Sequence, residues 1–234
     1  MKRIIIVILC LVLLLTACSR TDPSAGSMKT LPVVTGSLRP ATPGQTWPED
    51  TDAAGTAFTE QELRDLNTFL DWRIDRIPCM FLTCSYDRPE DIDFDLVFYN
   101  GISSNAVSEP VLAEEKEAVA KALGRESIME LGLPVQKRPK AKVTALISRY
   151  TGLSEEAAAQ IELGYPYLAE YDAYYSFYSD NEVIMPKAEK AIWIDNTQSQ
   201  AQVRWTDSVR DRAGTAVMEK TEDGWRFISN HIER

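Results

Sequence analysis

"GTAVMEKTEDGWRFISNHI", residues 214–232, alternates apolar and polar side chains on either side of one sharp turn signal. β-Branched and aromatic residues in a period of two read as half-buried strands, and Asp223-Gly224 is a good hairpin turn. The preceding stretch has the same layout: "KAIWID" (190–195) and "AQVRWTD" (201–207) flank the turn "NTQSQ" (196–200). From Val183 onward the chain therefore reads as four strands in series, an antiparallel meander. Trp193, Trp205, Trp225 and Phe227 fall on alternating positions. They supply the one apolar face that sheet packing requires, and core is the default reading. Any part left uncovered would be an aromatic groove between sheet and helices, able to act as a binding cleft.

Upstream, the period changes from two to that of helices. "FTEQELRDLNTFLDWRI" (58–74) opens with Thr59 and Glu62 in a capping-box relation. Leu63, Leu66, Phe69, Leu70 and Ile74 then recur at helical spacing, and Pro78 ends the element. "CMFLTCSY" (79–86) is a short apolar run, strand or buried turn. "DRPEDIDFDLVFYNG" (87–101) reads as turn and short helix, capped by Asp87 or Asp91 and closed by Gly101. Ser108-Glu109-Pro110 opens a helix through Leu123, with Gly124 past its end. "PVQKRPK" (134–140) reads as a positively charged turn. "AKVTALISRYTG" (141–152) is a strong helix stopped by Gly152, and "LSEEAAAQI" (153–161) begins another with Ser154 as cap. Pro166 breaks the chain before "YLAEYDAYYSFYSD" (167–180), which reads as helical. Helices first and strands later imply an α+β domain, residues 58–234, with N-terminal helices packed on the C-terminal four-stranded meander. No internal repeat is visible.

The N-terminus is an address. Lys2 and Arg3 precede twelve apolar residues, Ile4 to Leu15, then the small residues Thr16 and Ala17 and then Cys18. Basic, apolar, small is the layout of a secretory signal. Twelve helical residues rise only about 18 Å against a hydrocarbon core of roughly 30 Å, which disfavours a spanning helix. Leu15-Thr16-Ala17-Cys18 resembles the lipobox of bacterial lipoproteins. The resemblance implies removal of residues 1–17 and a diacylglyceryl group on the Cys18 thiol, two acyl chains being enough for stable attachment where one is marginal. In residues 18–57, twenty-five of forty are Ser, Thr, Pro, Gly or Ala. Such a composition buries too little apolar surface to offset its ordering entropy, so this segment is expected to be a disordered linker with a reach of roughly 35 Å.

Charge and cysteine usage narrow the function classes. The chain carries 25 Lys and Arg against 35 Asp and Glu, a formal charge of −10. Loss of Lys2 and Arg3 with the signal makes it −12. Nucleic acid and anionic headgroups would be repelled, so nucleic-acid binding is not expected and the lipid must hold the protein at the membrane. Cys79 and Cys84 lack CxxC spacing, and in a strand they would point to opposite faces, so they read as small buried hydrophobes. One histidine, His231, gives a metal site or catalytic triad almost nothing to build on. No metal or cofactor is expected.

"FLTCSYDRPEDIDFDLVFYNG" (81–101), "YTGLSEEAAAQI" (150–161), "YLAEYDAYYSFYSD" (167–180) and "DGWRFISN" (223–230) follow one another in a recognisable order. They resemble a family of uncharacterised extracellular domains of Gram-positive bacteria. Those domains occur as free lipoproteins and next to membrane proteins of the antibiotic-sensing metallopeptidase type. The resemblance covers residues 58–232 and implies a location, a fold unit and a sensing or cell-envelope setting. It carries over no catalytic residue, and no HExxH motif stands here.

Three groups are candidate sites. The carboxylates of Asp87, Glu90, Asp91, Asp93 and Asp95 could bind Ca²⁺, but they lack the glycine and glutamate of an EF-hand loop; helix capping and solvation are the simpler reading. Tyr171, Tyr174, Tyr175 and Tyr178, with Tyr167, would lie on one helix face, either as a stacking row for sugar rings or as core with hydroxyls reaching polar partners. Asp172 and Asp180 could form a carboxylate pair for glycoside hydrolysis, although defined separation across a cleft is required. Ser85 and Ser229 have no locally supported histidine partner and no GxSxG elbow. The expectation is a lipid-anchored protein on the outer face of the cytoplasmic membrane, with a non-catalytic binding or sensing domain. Its partner would be a peptide, cell-wall fragment or envelope protein. The alternative is an envelope hydrolase using paired carboxylates, for which opposed acids in an aromatic-lined pocket are the discriminator.

Overall fold

The computed structural model describes residues 55–100, 108–132, 134–177 and 184–233. It combines helices with a four-stranded antiparallel sheet in the C-terminal region. Strands β4 (Pro186–Trp193), β5 (Gln200–Asp207), β6 (Arg212–Thr221) and β7 (Gly224–Ile232) pair in sequence order. The expected meander is present. Trp193, Trp205, Trp225 and Phe227 are all buried on its inner side. At the first turn, Asp195 accepts the backbone N–H groups of Ser199 and Gln200 at 3.0 and 2.8 Å. At the last turn, Gly224 takes φ +118°, a conformation open to glycine alone without strain.

Two irregularities break the strict alternation. The pairing of β6 with β7 shifts between Val217 and Met218, where Ser229 and Phe227 are the partners and Ile228 is the extra residue. A β-bulge of this kind changes the phase of every side chain beyond it. Asn230 therefore turns inward beyond Phe227 and is completely buried. Its Oδ1 accepts the Trp205 indole N–H at 2.9 Å and its Nδ2 donates to the Cys84 carbonyl at 2.7 Å. Both sheet edges are covered. Ala57 bridges Ile192 beside β4, and Tyr86 bridges Asn230 beside β7, so neither edge offers a long row of unpaired backbone groups.

Helix α1 (Glu60–Phe69) forms as the capping box predicts: Glu62 N–H donates to the Thr59 hydroxyl at 3.2 Å and Glu62 Oε2 accepts Thr59 N–H at 2.8 Å. It stops before Ile74, which is left 68 % exposed rather than on an apolar face. Pro78 does not terminate it. That residue lies in the first turn of a second helix, α2 (Arg76–Met80), where a missing N–H is tolerated, and Asp75 caps it by accepting Ile77 N–H at 3.0 Å. The 79–86 run is thus a helix end and buried turns, not a strand. The next helix, α3 (Phe94–Asn100), is capped by Asp93, which accepts Leu96 N–H at 3.0 Å, and not by Asp87 or Asp91. Helix α4 spans Ala113–Ala122, five residues later than Ser108-Glu109-Pro110 suggests. Helices α5 (Lys140–Thr151) and α6 (Glu155–Ala159) match expectation, Gly152 closing one at φ +74° and Ser154 capping the other.

Two expectations are overturned. The "turn" 134–140 contains strand β1 (Val135–Pro139), and the "helix" 167–180 contains β2 (Tyr167–Leu168) and β3 (Ala173–Phe177). These form a second antiparallel sheet of order β1-β3-β2. Asp172 makes the tight β2–β3 turn with φ 44°, which aspartate tolerates. Tyrosine favours pleated, packed surfaces, and β1 supplies the ladder partner that a local pattern cannot reveal. One face of β3, through Ala173 and Tyr175, packs on Val119 of α4 in a small core of its own. On the other face Tyr174 joins the main core. The main core continues to the meander: Phe81 stacks on Phe227 with centroids 5.0 Å apart, and Asn67 of α1 exchanges hydrogen bonds with the Ala188 backbone at 2.8 and 3.0 Å.

Candidate functional site

A cleft of about 220 Å³ lies between α5, the start of α6 and the β6–β7 hairpin. The hairpin contributes Asp223, Trp225 and Arg226, and the helices contribute Ser148, Arg149 and Glu155. Local rules place each one. Alternation along β7 sends Trp225 inward, where it stacks on Trp193 at 5.8 Å, and leaves its neighbour Arg226 outside. Gly152 lets Arg226 lie across the end of α5, since a Cβ there would meet the arginine Cδ at 3.3 Å. Arg149 stands in the last turn of α5, where the helix dipole favours a cation, and its guanidinium covers the Tyr150 ring at 5.2 Å. The Ser148 hydroxyl donates to the Leu153 carbonyl at 2.7 Å, which leaves its lone pairs free to accept.

The cleft has two guanidinium groups, two carboxylates and the edge of one indole. It contains no nucleophile hydrogen-bonded to a base. Such a surface can hold a polar chain bearing both signs of charge, with fork-shaped donors for carboxylates.

The tyrosine set does not share a helix face. Tyr174 and Tyr175 are buried on opposite faces of β3, Tyr171 lies in the turn before it under the Lys137 ammonium, and Tyr178 lies outside the described residues. Tyr175 packs beside the ion pair of Glu115 with Lys137, 2.5 Å long and almost wholly buried on the glutamate side. Burial and the Glu115 charge raise its phenol pKa. The acidic residues have separate tasks: Asp91 pairs with Arg88 at 3.3 Å, Asp93 caps α3, and Asp95 accepts Gly164 N–H at 2.7 Å. Among the described residues no three metal-ligating side chains are placed to hold an ion. Asp172 accepts the Tyr167 hydroxyl at 2.6 Å, while Asp180 and Cys18 lie outside the described residues. Cys79 and Cys84 are both buried as free thiols.

One juxtaposition was not legible in the chain. Tyr86 and Asn230 exchange both backbone hydrogen bonds, at 2.8 and 3.0 Å, so Ser85 and His231 beside them face each other across the bridge. Asp87 reaches within 3.5 Å of His231 Nε2. Yet the Ser85 hydroxyl accepts Ile232 N–H at 3.0 Å and makes no hydrogen bond to His231. The contact between nucleophile and base that acyl transfer requires is missing.

Set against known proteins, the chain matches no family model, no curated protein and no solved structure. Among the described residues no helix is long and apolar enough to cross a membrane.

Proposed function

We propose that this is a lipid-anchored binding or sensing protein of the cell envelope, held by Cys18 to the outer face of the cytoplasmic membrane. In this reading residues 1–17 are the signal, 18–57 the tether, and 58–234 one extracellular domain whose N-terminal helices pack on the meander. The cleft beside Arg149 and Arg226 binds a peptide or peptide-bearing wall fragment without altering it. The observation that carries the reading is the cleft's balanced charge: two arginines and two acids around one indole. Asp172 and the acids from Asp87 to Asp95 are engaged apart from one another, so the hydrolase alternative would have to rest on Glu155 and Asp223 of the cleft.

Two measurements test it. Cys18→Ala should move the protein from the lipid fraction to the medium; a mutant that stays with lipid refutes the anchor. The released chain should retain a peptide component of envelope material, and the double variant Arg149→Glu, Arg226→Glu should lose at least tenfold in retention. Equal retention by the double variant refutes the cleft.

A further inference from the structure

Arg138 is a buried cation with no carboxylate in contact with it. It stands in β1 opposite Tyr174 of β3 and is 0 % exposed. None of its Nε, Nη1 and Nη2 atoms makes a hydrogen bond. Its guanidinium carbon lies 5.1 Å from the centroid of the Tyr165 ring. The Tyr165 hydroxyl donates to the Asp95 carbonyl at 2.7 Å and turns its lone pairs toward the arginine, while the Asp95 carboxylate is held by Gly164 N–H at 2.7 Å and attracts the guanidinium only from beyond ion-pair distance. Two residues earlier on the same strand face, the Gln136 Oε1 is also buried without a donor.

A guanidinium does not escape this situation by losing its proton. Burying an unpaired ion is among the most expensive things a fold can do, and native proteins pair such groups with a counter-ion or ordered water. A ring face alone is a much weaker partner than an anion held by several N–H donors. Glu115, the other fully buried charge nearby, shows the contrast: it has Lys137 and the Leu112 backbone N–H.

We propose that Arg138 is the core of a site for one small monovalent anion, a halide or a group the size of a carboxylate, enclosed between the β1–β3 face and the Gly164–Tyr165 segment. One cation calls for one negative charge. The chain's −10 balance and the neighbouring Asp95 oppose a multiply charged ligand. Complete burial of the guanidinium opposes a large one. Gln136 can turn its amide N–H₂ toward the same anion. This site lies on the β1–β3 sheet, apart from the cleft at the β6–β7 hairpin, and stands or falls independently of it.

The experiment is thermal unfolding of the mature Cys18→Ala chain at constant ionic strength. Sodium chloride, bromide or formate is exchanged for sodium gluconate, whose anion is too bulky to enter. A ligand that binds only the folded state raises Tm with the logarithm of its concentration. A rise of roughly 5–11 °C is expected at a hundredfold excess over Kd. The arms separate the sources: a response to halides alone marks a halide site, a response to formate as well marks a carboxylate site. Arg138→Met should abolish the dependence, and Arg138→Lys should keep part of it. A bromide-soaked crystal of the protein with Arg138 intact should show an anomalous peak at the guanidinium, a readout independent of whether the variants fold. The proposal is overturned by identical Tm in all salts, by anion dependence that survives Arg138→Met, or by water alone at Arg138 in the bromide crystal.

Discussion

Replacing Asn230 by alanine tests the bulged packing of β7 most directly. The side chain is wholly buried and joins three parts of the chain: its own strand, Trp205 on β5 and Cys84 in the segment beside the sheet edge. Truncation leaves the indole N–H and the Cys84 carbonyl without their side-chain partner. Each buried group left unsatisfied costs about 1–3 kcal/mol, and the small void adds to that, so the expected loss is about 3–5 kcal/mol. That is a large share of a typical domain stability of about 5–15 kcal/mol. At about 2–4 °C per kcal/mol for a chain of this size, Tm should fall by roughly 6–20 °C. Urea unfolding followed by tryptophan fluorescence measures the loss, with the slope m unchanged if the native fold is kept. A cycle with Trp205→Phe isolates the indole bond, with an expected coupling of about 1 kcal/mol. A loss below about 1 kcal/mol for Asn230→Ala, or strict additivity in the cycle, would refute the inward placement of Asn230.

Two other outcomes follow from the charges and thiols. Asp71, next to Arg73, has its pKa lowered from 3.8 to about 2, and Asp195 is held well below its usual range by the Thr197 and Ser199 hydroxyls and the Gln200 backbone. A depressed folded-state pKa gives stability that is present above the unfolded value and lost as pH falls through the folded one. Urea stability should therefore decline between about pH 4 and pH 2, and Asp195→Asn should flatten that decline; a stability constant from pH 5 to pH 2 contradicts the assignment. Burial pushes the thiols of Cys79 and Cys84 up to about 12. Iodoacetamide at pH 8 should then label neither in the folded protein and both in urea, as read by mass spectrometry; rapid labelling of the native state would show that the thiols are accessible.

The amino-acid sequence by itself determined the four meander strands, the capped start of α1, and the Gly152 stop between α5 and α6. These depend on contacts within a few residues: the Thr59–Glu62 box, the Asp223-Gly224 turn, and an alternation that sorts Trp193, Trp205, Trp225 and Phe227 to one face. The second sheet was decided by tertiary structure alone. The tyrosines of 167–180 recur at a spacing that suits a helix, and only the partner strand at Val135–Pro139, some forty residues away, supplies the ladder that makes β3 extended. The bulge at Ile228 is similar, because its extra residue is defined by register against β6. Arg149 and Arg226 share a cleft, and Ser85 faces His231, through pairings across long stretches of chain. Arg138 read as one more positive charge in a turn. Its burial without a contacting carboxylate is a property of both faces of a sheet packed at once, and local spacing carries no information about that.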